Sequence, residues 1–430
     1  MGLGYVGLTL ALILANFGFK IIGIDKDITK IQSLKNGNPT IYEEQIEQYL
    51  NSALSSNNIQ FEEQLSTNHE KNTFIISVGT PINENHVPQL ENLKNVAIEV
   101  GKNLKKNDLV ILRSTVPVGT TRNFVKPLLE KESGLNAPKD FHLVFAPERT
   151  LQGKALKELT ELSQIIGGLD DVSVESAASI FNKTTRTIVR VSNLESAEMI
   201  KLLDNTYRDI TISIGNLFGK ICDKKNLDAK EIIEAANYGY SRNKILFPGA
   251  GVGGGCLVKD PYLLLDSLKN DEHLSKLVLD SRIINDSMIE DTKHLIDTSF
   301  KKTDRTIANS KILILGFAFK GFPNTDDIRF SPSIPIVNYV REKGADLYGF
   351  DPVVSSKTIE SLGIQSTNDI YEQKYDCVII LNNNPKFKNL DFDKLRKEKL
   401  TIIDGWYMYD VKTLSKLGIN YFALGMALNS

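Results

Sequence analysis

Cys256 ends a glycine-rich run, FPGAGVGGGC, with Lys259 and Asp260 close behind it. A cysteine attacks as its thiolate, and a neighbouring lysine favours that charge. The five glycines between Phe247 and Gly255 offer backbone that a substrate can approach closely. The plain alternative is a buried cysteine beside a flexible loop. Lys201 and Asn205 lie four apart in SAEMIKLLDNTYRDI and so project from one face of a predicted helix. Taken alone, Lys201 is a solvated charge paired with Glu198, and Asn205 a surface polar residue. Glu148, after the proline of APER, sits at a strand end, where a carboxylate is either an acid–base group or a loop cap. Thr80 in VGTP and Thr115 in STVPVGTT close two further strand runs, as site residues or as turn residues.

A second constellation opens the chain. Gly2-Leu3-Gly4-Tyr5-Val6-Gly7 is a G-x-G-x-x-G loop, followed by an apolar helix pattern, a strand pattern and Asp25, eighteen residues after Gly7. That order sets glycine backbone and a helix N-terminus at a pyrophosphate and a carboxylate at adenosine ribose hydroxyls. Gly2, Gly4, Tyr5, Val6, Gly7 and Asp25 are the candidate cofactor loop. Such a loop follows the central strand of its sheet, and that first strand is missing ahead of Gly2. The expectation is that several apolar residues precede Met1 in the natural protein.

These residues need scaffolding, and the patterning supplies it. LTLALILANFGF reads as a buried helix, and KIIGIDKD, NTFIISVGTP, DLVILRSTVP, FHLVFAPER and SQIIGG as buried strands of a parallel, doubly wound sheet. From Glu195 to about Ile296 long helical patterns dominate. Strands return with KILILGFAFKG, GADLYGFDP, YDCVIILNN and LTIIDGW. The expected fold is α/β: a Rossmann-like domain over 1–194, a central helical domain with the cysteine loop over 195–300, and a second Rossmann-like α/β domain over 301–430.

Composition narrows the function. With 430 residues, 41% hydrophobic and 24% charged, the chain holds two or three domains with real cores. A net charge of −2 gives no electrostatic reason to bind nucleic acid or a membrane surface. Leu8–Leu14 has the apolarity of a signal peptide but neither preceding basic residues nor a cleavage site, and Val6 departs from the myristoylation pattern. Three scattered cysteines without a CxxC fit a reducing cytoplasm. No residue is assigned to a metal.

Taken in order, GLGYVGL with Asp25, VGTP, STVPVGTT, APER, SAEMIKLLDNTYRDI, GVGGGCLVKD and GFAFKGFPNTDDIRFSP resemble the UDP-glucose/GDP-mannose dehydrogenase family of NAD-dependent nucleotide-sugar 6-dehydrogenases. The resemblance implies oxidation of a sugar C6 alcohol to a carboxylate with reduction of two NAD⁺. Cys256 would form a thiohemiacetal and then a thioester that water hydrolyses. Asp260, Glu148 and Thr115 are the carried-over candidates for holding and deprotonating that water. Lys201 and Asn205 would stabilise the alkoxide and the tetrahedral oxyanions. Thr80 and Thr115 would lie near the nicotinamide. Lys320 and Arg329, the latter in a segment with Asp327, would hold the UDP phosphates or close over the cofactor. Arg242, Gly253 and Lys259 are further candidates for substrate contacts. A homodimer or larger homo-oligomer, and a product used in surface polysaccharide synthesis, also come from the resemblance.

Some positions depart from the UDP-glucose branch. Gln152 stands where a second glutamate is usual, Asp404-Gly405-Trp406 replaces a DGR motif, and Asn216-Leu217 an NE pair. APERTLQGKAL, NTYRD and GVGGGC look like the N-acetylhexosamine branch, whereas CLVKD keeps the lysine of the UDP-glucose branch. UDP-N-acetylmannosamine is the expected substrate, with UDP-N-acetylglucosamine and UDP-glucose as alternatives. Two rivals belong to other classes. A two-electron hydroxyacid dehydrogenase would need neither the cysteine loop nor a second α/β domain. An inactive nucleotide-sugar-binding protein is favoured only by the missing strand, against the retained Cys256, Lys201, Asn205, Asp260, Glu148 and Thr115.

Overall fold

The computed structural model describes residues 1–65, 71–268 and 271–426. The chain divides into two compact units, Met1–Asn205 with Lys259–Asp271, and Thr206–Val258 with Glu272–Ser430.

In the first unit the strands are β1 (Ile21–Ile24), β2 (Ile59–Glu62), β3 (Thr73–Ile76), β4 (Leu109–Leu112), β5 (His142–Phe145), β6 (Gln164–Gly168) and β7 (Ile188–Val191). β3 to β7 form one sheet in chain order, while β1 and β2 form a separate parallel pair. The backbone of Met1 and Gly2 joins the two sheets. Gly2 N–H donates to the Ile24 carbonyl at 2.8 Å, and Ser77 N–H donates to the Met1 carbonyl at 2.9 Å. Met1 nitrogen also donates to the Ile75 carbonyl at 2.8 Å. Over two residues, then, the chain occupies the central place that this fold gives to the strand before the glycine loop.

One strand departs from the parallel pattern: β6 runs antiparallel to β5, pairing Val144 with Gly168 and Phe145 with Gly167. An apolar run records that a strand is buried, not which way it points. Burial follows the pleat. Leu109 and Ile111 of β4 enter the apolar cluster built around the helix Tyr5–Asn16, while Val110 and Leu112 enter the cluster on the other face. The helix is buried almost all round, which is why its sequence is apolar rather than amphipathic.

In the second unit β8 (Lys311–Leu315), β9 (Asp346–Phe350), β10 (Gln365–Ser366), β11 (Tyr375–Ile380), β12 (Arg396–Asp404) and β13 (Asn420–Ala423) form a parallel sheet. Its order, β10-β9-β8-β11-β12-β13, is the 3-2-1-4-5-6 order of the Rossmann fold. Alternate residues of β8 again feed two cores, Ile312 and Ile314 one, Leu313 and Leu315 the other. Helix Glu272–Lys302 belongs to this unit, and helix Leu194–Lys225 passes from the first unit into it after Asn205. No helix among the described residues is long and apolar enough to cross a membrane.

Candidate active site

In the first unit the helix beginning at Leu194 presents Glu198, Lys201 and Asn205 on one buried face. Lys201 does not pair with Glu198, as the plain reading of the sequence has it. Its ammonium stands 3.9 Å from Glu148 Oε2, with both side chains largely buried. Glu198 turns instead to the loop after Thr115, accepting the N–H groups of Gly119 at 2.5 Å and Thr121 at 2.8 Å and the Thr121 hydroxyl. Burial pushes its pKa up to about 7 against these three donors. Thr80, also buried, donates its hydroxyl to the Thr115 carbonyl at 2.5 Å.

Asn205 Nδ2 donates to Asp260 Oδ2 at 2.5 Å, and Lys259 Nζ to Asp260 Oδ1 at 2.6 Å. Asp260 opens the helix Asp260–Ser267 and is almost wholly buried. Lys259 therefore spends its charge on this carboxylate. The loop carrying Glu148 is itself held by carboxylates. Glu148 accepts the Thr150 N–H, Glu158 accepts that of Leu151 at 2.7 Å, and buried Glu43 accepts those of Gly153 at 2.7 Å and Ala155 at 3.0 Å. Arg113 is buried at the end of β4 and donates to the Ala146 carbonyl and to Gln164. Burial lowers its pKa to about 10, with Glu148 opposing.

The glycine loop fits a dinucleotide. Gly2 adopts φ +88°, and a Cβ on Gly7 would stand 1.8 Å from the Gly2 carbonyl oxygen, so packing demands both glycines. Gly4 is different. Its φ is −80° and a Cβ there would meet nothing within 4 Å. No protein atom requires glycine at that point, and it N-caps a helix with no side-chain cap, an arrangement suited to a pyrophosphate. Tyr5 and Val6 form the first turn of this helix. Asp25 Oδ2 accepts the Leu3 N–H at 2.7 Å and Lys30 Nζ at 2.9 Å. Burial raises the Asp25 pKa, but hydrogen bonds from Leu3, Lys30 and Asp27 outweigh it and hold the carboxyl below its ordinary value. The carboxylate braces the glycine loop through the Leu3 N–H.

In the second unit Cys256 is exposed, in a turn of residues 255–259. Cys222 and Cys377 are buried, and burial pushes both thiols up. Of the three, Cys256 has the exposure a nucleophile needs. The glycines before it answer to packing: a Cβ on Gly253 would stand 2.5 Å from the Phe330 carbonyl oxygen, and one on Gly254, at φ +86°, 2.8 Å from the Phe319 ring. Gly254 N–H donates to the Arg329 carbonyl at 3.2 Å. The Arg329 guanidinium forms a two-point pair with Asp327, through Nε at 2.9 Å and Nη2 at 2.7 Å. Lys320 lies 5.6 Å from the centre of the Phe319 ring, and exposed Arg242 5.6 Å from that of Tyr240.

Residues 1–185, 195–287 and 313–411 match, in turn, the NAD binding domain, the central domain and the UDP binding domain of the UDP-glucose/GDP-mannose dehydrogenase family. The chain belongs to this family. It is 33% identical over 410 residues to the UDP-N-acetyl-D-mannosamine dehydrogenase of Pyrococcus horikoshii, covering 94% of each chain. It is 30% identical to the NDP-N-acetyl-D-galactosaminuronic acid dehydrogenase of Ralstonia solanacearum, covering 96% of each. A solved structure of the Pyrococcus horikoshii UDP-D-ManNAc dehydrogenase matches with a TM-score of 0.88 and 31% identity, over 99% of this chain and 98% of that one. Membership makes the protein an NAD-dependent oxidoreductase of nucleotide sugars, with NAD in the N-terminal domain and a UDP-binding C-terminal domain.

Against that family background, Trp406 has a structural role. Its indole Nε1 donates to the Leu381 carbonyl at 2.9 Å, and its ring lies about 4 Å from a Cβ built on Gly249, at the start of the cysteine loop. Glu43 and Arg113, which no motif marks, and Glu198, read from the sequence only as a partner for Lys201, brace the loops around these residues. An apolar stretch interrupted by one buried charge was the available signal: LVILRST for Arg113 and SAEMI for Glu198.

Proposed function

We propose that this protein oxidises the C6 alcohol of UDP-N-acetyl-D-mannosamine to the uronic acid, consuming two NAD⁺ and one water and releasing two NADH. The pairing of Lys201 with Glu148 and of Asn205 with Asp260, on one helix face, is the observation that carries this reading. NAD⁺ supplies the acceptor for the two hydrides. Lys201 and Asn205 meet the alkoxide and the later oxyanions with N–H donors aimed from a rigid helix, where preorganised donors are most effective. Cys256 adds through sulfur to the C6 aldehyde, and the thiohemiacetal, on losing its hydride, becomes a thioester. Asp260, with Glu148 and Thr115, takes the proton from the water that attacks the thioester, and the thiolate leaves. Thr80 holds the Thr115 loop. Lys320, Arg329, Arg242, Gly253 and Lys259 contribute to substrate and cofactor binding.

The names of the relatives support an N-acetylhexosamine substrate. Lys259, which the UDP-glucose branch shares, keeps UDP-glucose as a second reading. We take 1–194, 195–300 and 301–430 as the NAD-binding, central and UDP-sugar-binding domains, assembled as a homodimer or larger homo-oligomer in the cytoplasm. The test is NADH formed per sugar consumed, offering UDP-N-acetylmannosamine, UDP-N-acetylglucosamine and UDP-glucose in turn. Two NADH per sugar, strongest with the first and lost in Cys256→Ser, is expected. One NADH per sugar, or full activity in Cys256→Ser, would overturn the thioester route, and preference for UDP-glucose would overturn the substrate.

A further inference from the structure

The second unit contains a chain of polar side chains that the chemistry above leaves unused. Asp209, Asn216, Arg282 and Asn285 are each 2% exposed or less. Arg282 Nη1 donates to Asp209 Oδ1 at 2.6 Å, and Nη2 pairs with Asp286. Asn285 Nδ2 donates to Asp209 Oδ1 at 2.9 Å and to the Asp209 carbonyl at 3.0 Å. Asn216 Nδ2 in turn donates to Asn285 Oδ1 at 2.9 Å. The four side chains link two long helices, Leu194–Lys225 and Glu272–Lys302.

Both ends of this chain reach the cysteine loop. Asn216 Oδ1 accepts the Gly249 N–H at 3.0 Å, and Arg282 Nη1 donates to the Leu257 carbonyl at 3.3 Å. Gly249 lies seven residues before Cys256, and Leu257 directly after it. The start of the loop also lies flush on the helix, since a Cβ on Gly215 would stand 2.4 Å from the Leu246 carbonyl oxygen and one on Gly219 2.7 Å from Pro248.

Helix packing alone does not account for this arrangement. A buried ion pair loses solvation that its attraction only partly restores, and apolar residues of like volume commonly hold helices as well or better. Asp209 Oδ2 is buried with no hydrogen-bond partner among the described residues, a further cost. Apolar replacements, however, would leave the Gly249 N–H and the Leu257 carbonyl without these partners.

We propose that Asp209, Arg282, Asn285 and Asn216 are positioning residues that grip the loop at Gly249 and Leu257 and so fix the aim of the Cys256 thiol. This rests on Cys256 being the nucleophile. Removing Arg282 outright would strand a buried carboxylate and endanger the fold. The informative variants are therefore Asn216→Ala, which is neutral, and Arg282→Lys, which keeps a charge beside Asp209 but loses the guanidinium fork.

The experiment uses the full chain. It measures cooperative thermal unfolding, kcat and KM for sugar and NAD⁺, and the rate of Cys256 alkylation by iodoacetamide against pH without substrate. In both variants, folded, kcat is expected to fall about tenfold or more with each KM within about twofold, as for a misplaced reacting group. The alkylation profile is expected to move, with the rate changing about threefold or more. Unchanged kcat and alkylation in two folded variants would overturn the proposal. Loss of cooperative unfolding in both would also overturn it, assigning the network to folding alone. Full activity in Cys256→Ser would instead remove the nucleophile reading and is read separately.

Discussion

Glu198 grips Thr121 twice, accepting its backbone N–H at 2.8 Å and its hydroxyl, while the other carboxylate oxygen holds the Gly119 N–H. Lys201 follows one turn later on the same helix. Glu198 thus ties the loop after Thr115 to the helix that carries Lys201 and Asn205.

Glu198 makes stability pH-dependent. Its folded pKa of about 7 lies above the ordinary 4.5, so the folded state binds more protons than the unfolded between those values. Stability from this group is full below pH 4.5, falls as pH rises towards 7 and then levels, a span of ~3 kcal/mol. Glu198→Gln cannot titrate and sets an amide N–H against that of Gly119. It should be less stable at low pH yet lack this slope, as denaturant titrations of both proteins from pH 4.5 to 7.5 would show. Parallel slopes would contradict it.

Lys201→Ala should lower kcat by about two to three orders of magnitude with a smaller change in KM, the signature of lost oxyanion stabilisation. Steady-state kinetics decide, with circular dichroism to confirm folding. A raised KM at unchanged kcat would make Lys201 a ground-state binder.

Asn205 and Asp260 touch at 2.5 Å, so their effects should not add. In a double-mutant cycle of Asn205→Ala and Asp260→Ala on kcat/KM, a coupling of about 1–3 kcal/mol is expected. Additive losses would separate their roles.

The glycine loop separates packing from ligand binding. Gly7→Ala should destabilise the protein, since the new methyl meets the Gly2 carbonyl oxygen. Gly4→Ala should melt within a few degrees of the parent and yet bind NAD⁺ at least about tenfold more weakly, because only the ligand competes for that space. Thermal melts and NAD⁺ titration distinguish the two. Unaltered NAD⁺ affinity in Gly4→Ala would place the pyrophosphate elsewhere.

Tyr207, Ile214, Phe218 and Ile221 are exposed along one side of helix 194–225, opposite the buried face of Asp209, Ser213 and Asn216. A homodimer or larger assembly is expected to cover this stripe. Sedimentation should therefore give at least twice the 48.0 kDa chain mass, and Ile214→Glu with Phe218→Glu should shift it toward the monomer. A monomeric parent would sink the expectation.

The elements that the sequence made legible are those written in local signals. Burial on both faces left unbroken apolar runs at β4, β8 and β11, and the glycine loop with Asp25 marks a strand–helix–strand turn by types and spacing alone. β2, β7, β10 and β13 are not legible in this way, because they are only two to four residues long: IQFE and IVRV set a polar residue among apolar ones, QS has no apolar residue, and NYFA offers too short an apolar run. The candidate residues are likewise visible as types: Cys256, Lys201, Asn205, Asp260 and Glu148 each belong to a motif a few residues long.

What only the tertiary structure decided is pairing across long separations. Glu198 meets Thr121 across 77 residues, and Arg282 meets Asp209 across 73. Nothing within either segment specifies such a partner, because a buried charge is stabilised by whichever group the fold brings to it. The reversal of β6 has the same origin: apolar periodicity is identical read from either end, and the direction of the strand is chosen by what it packs against.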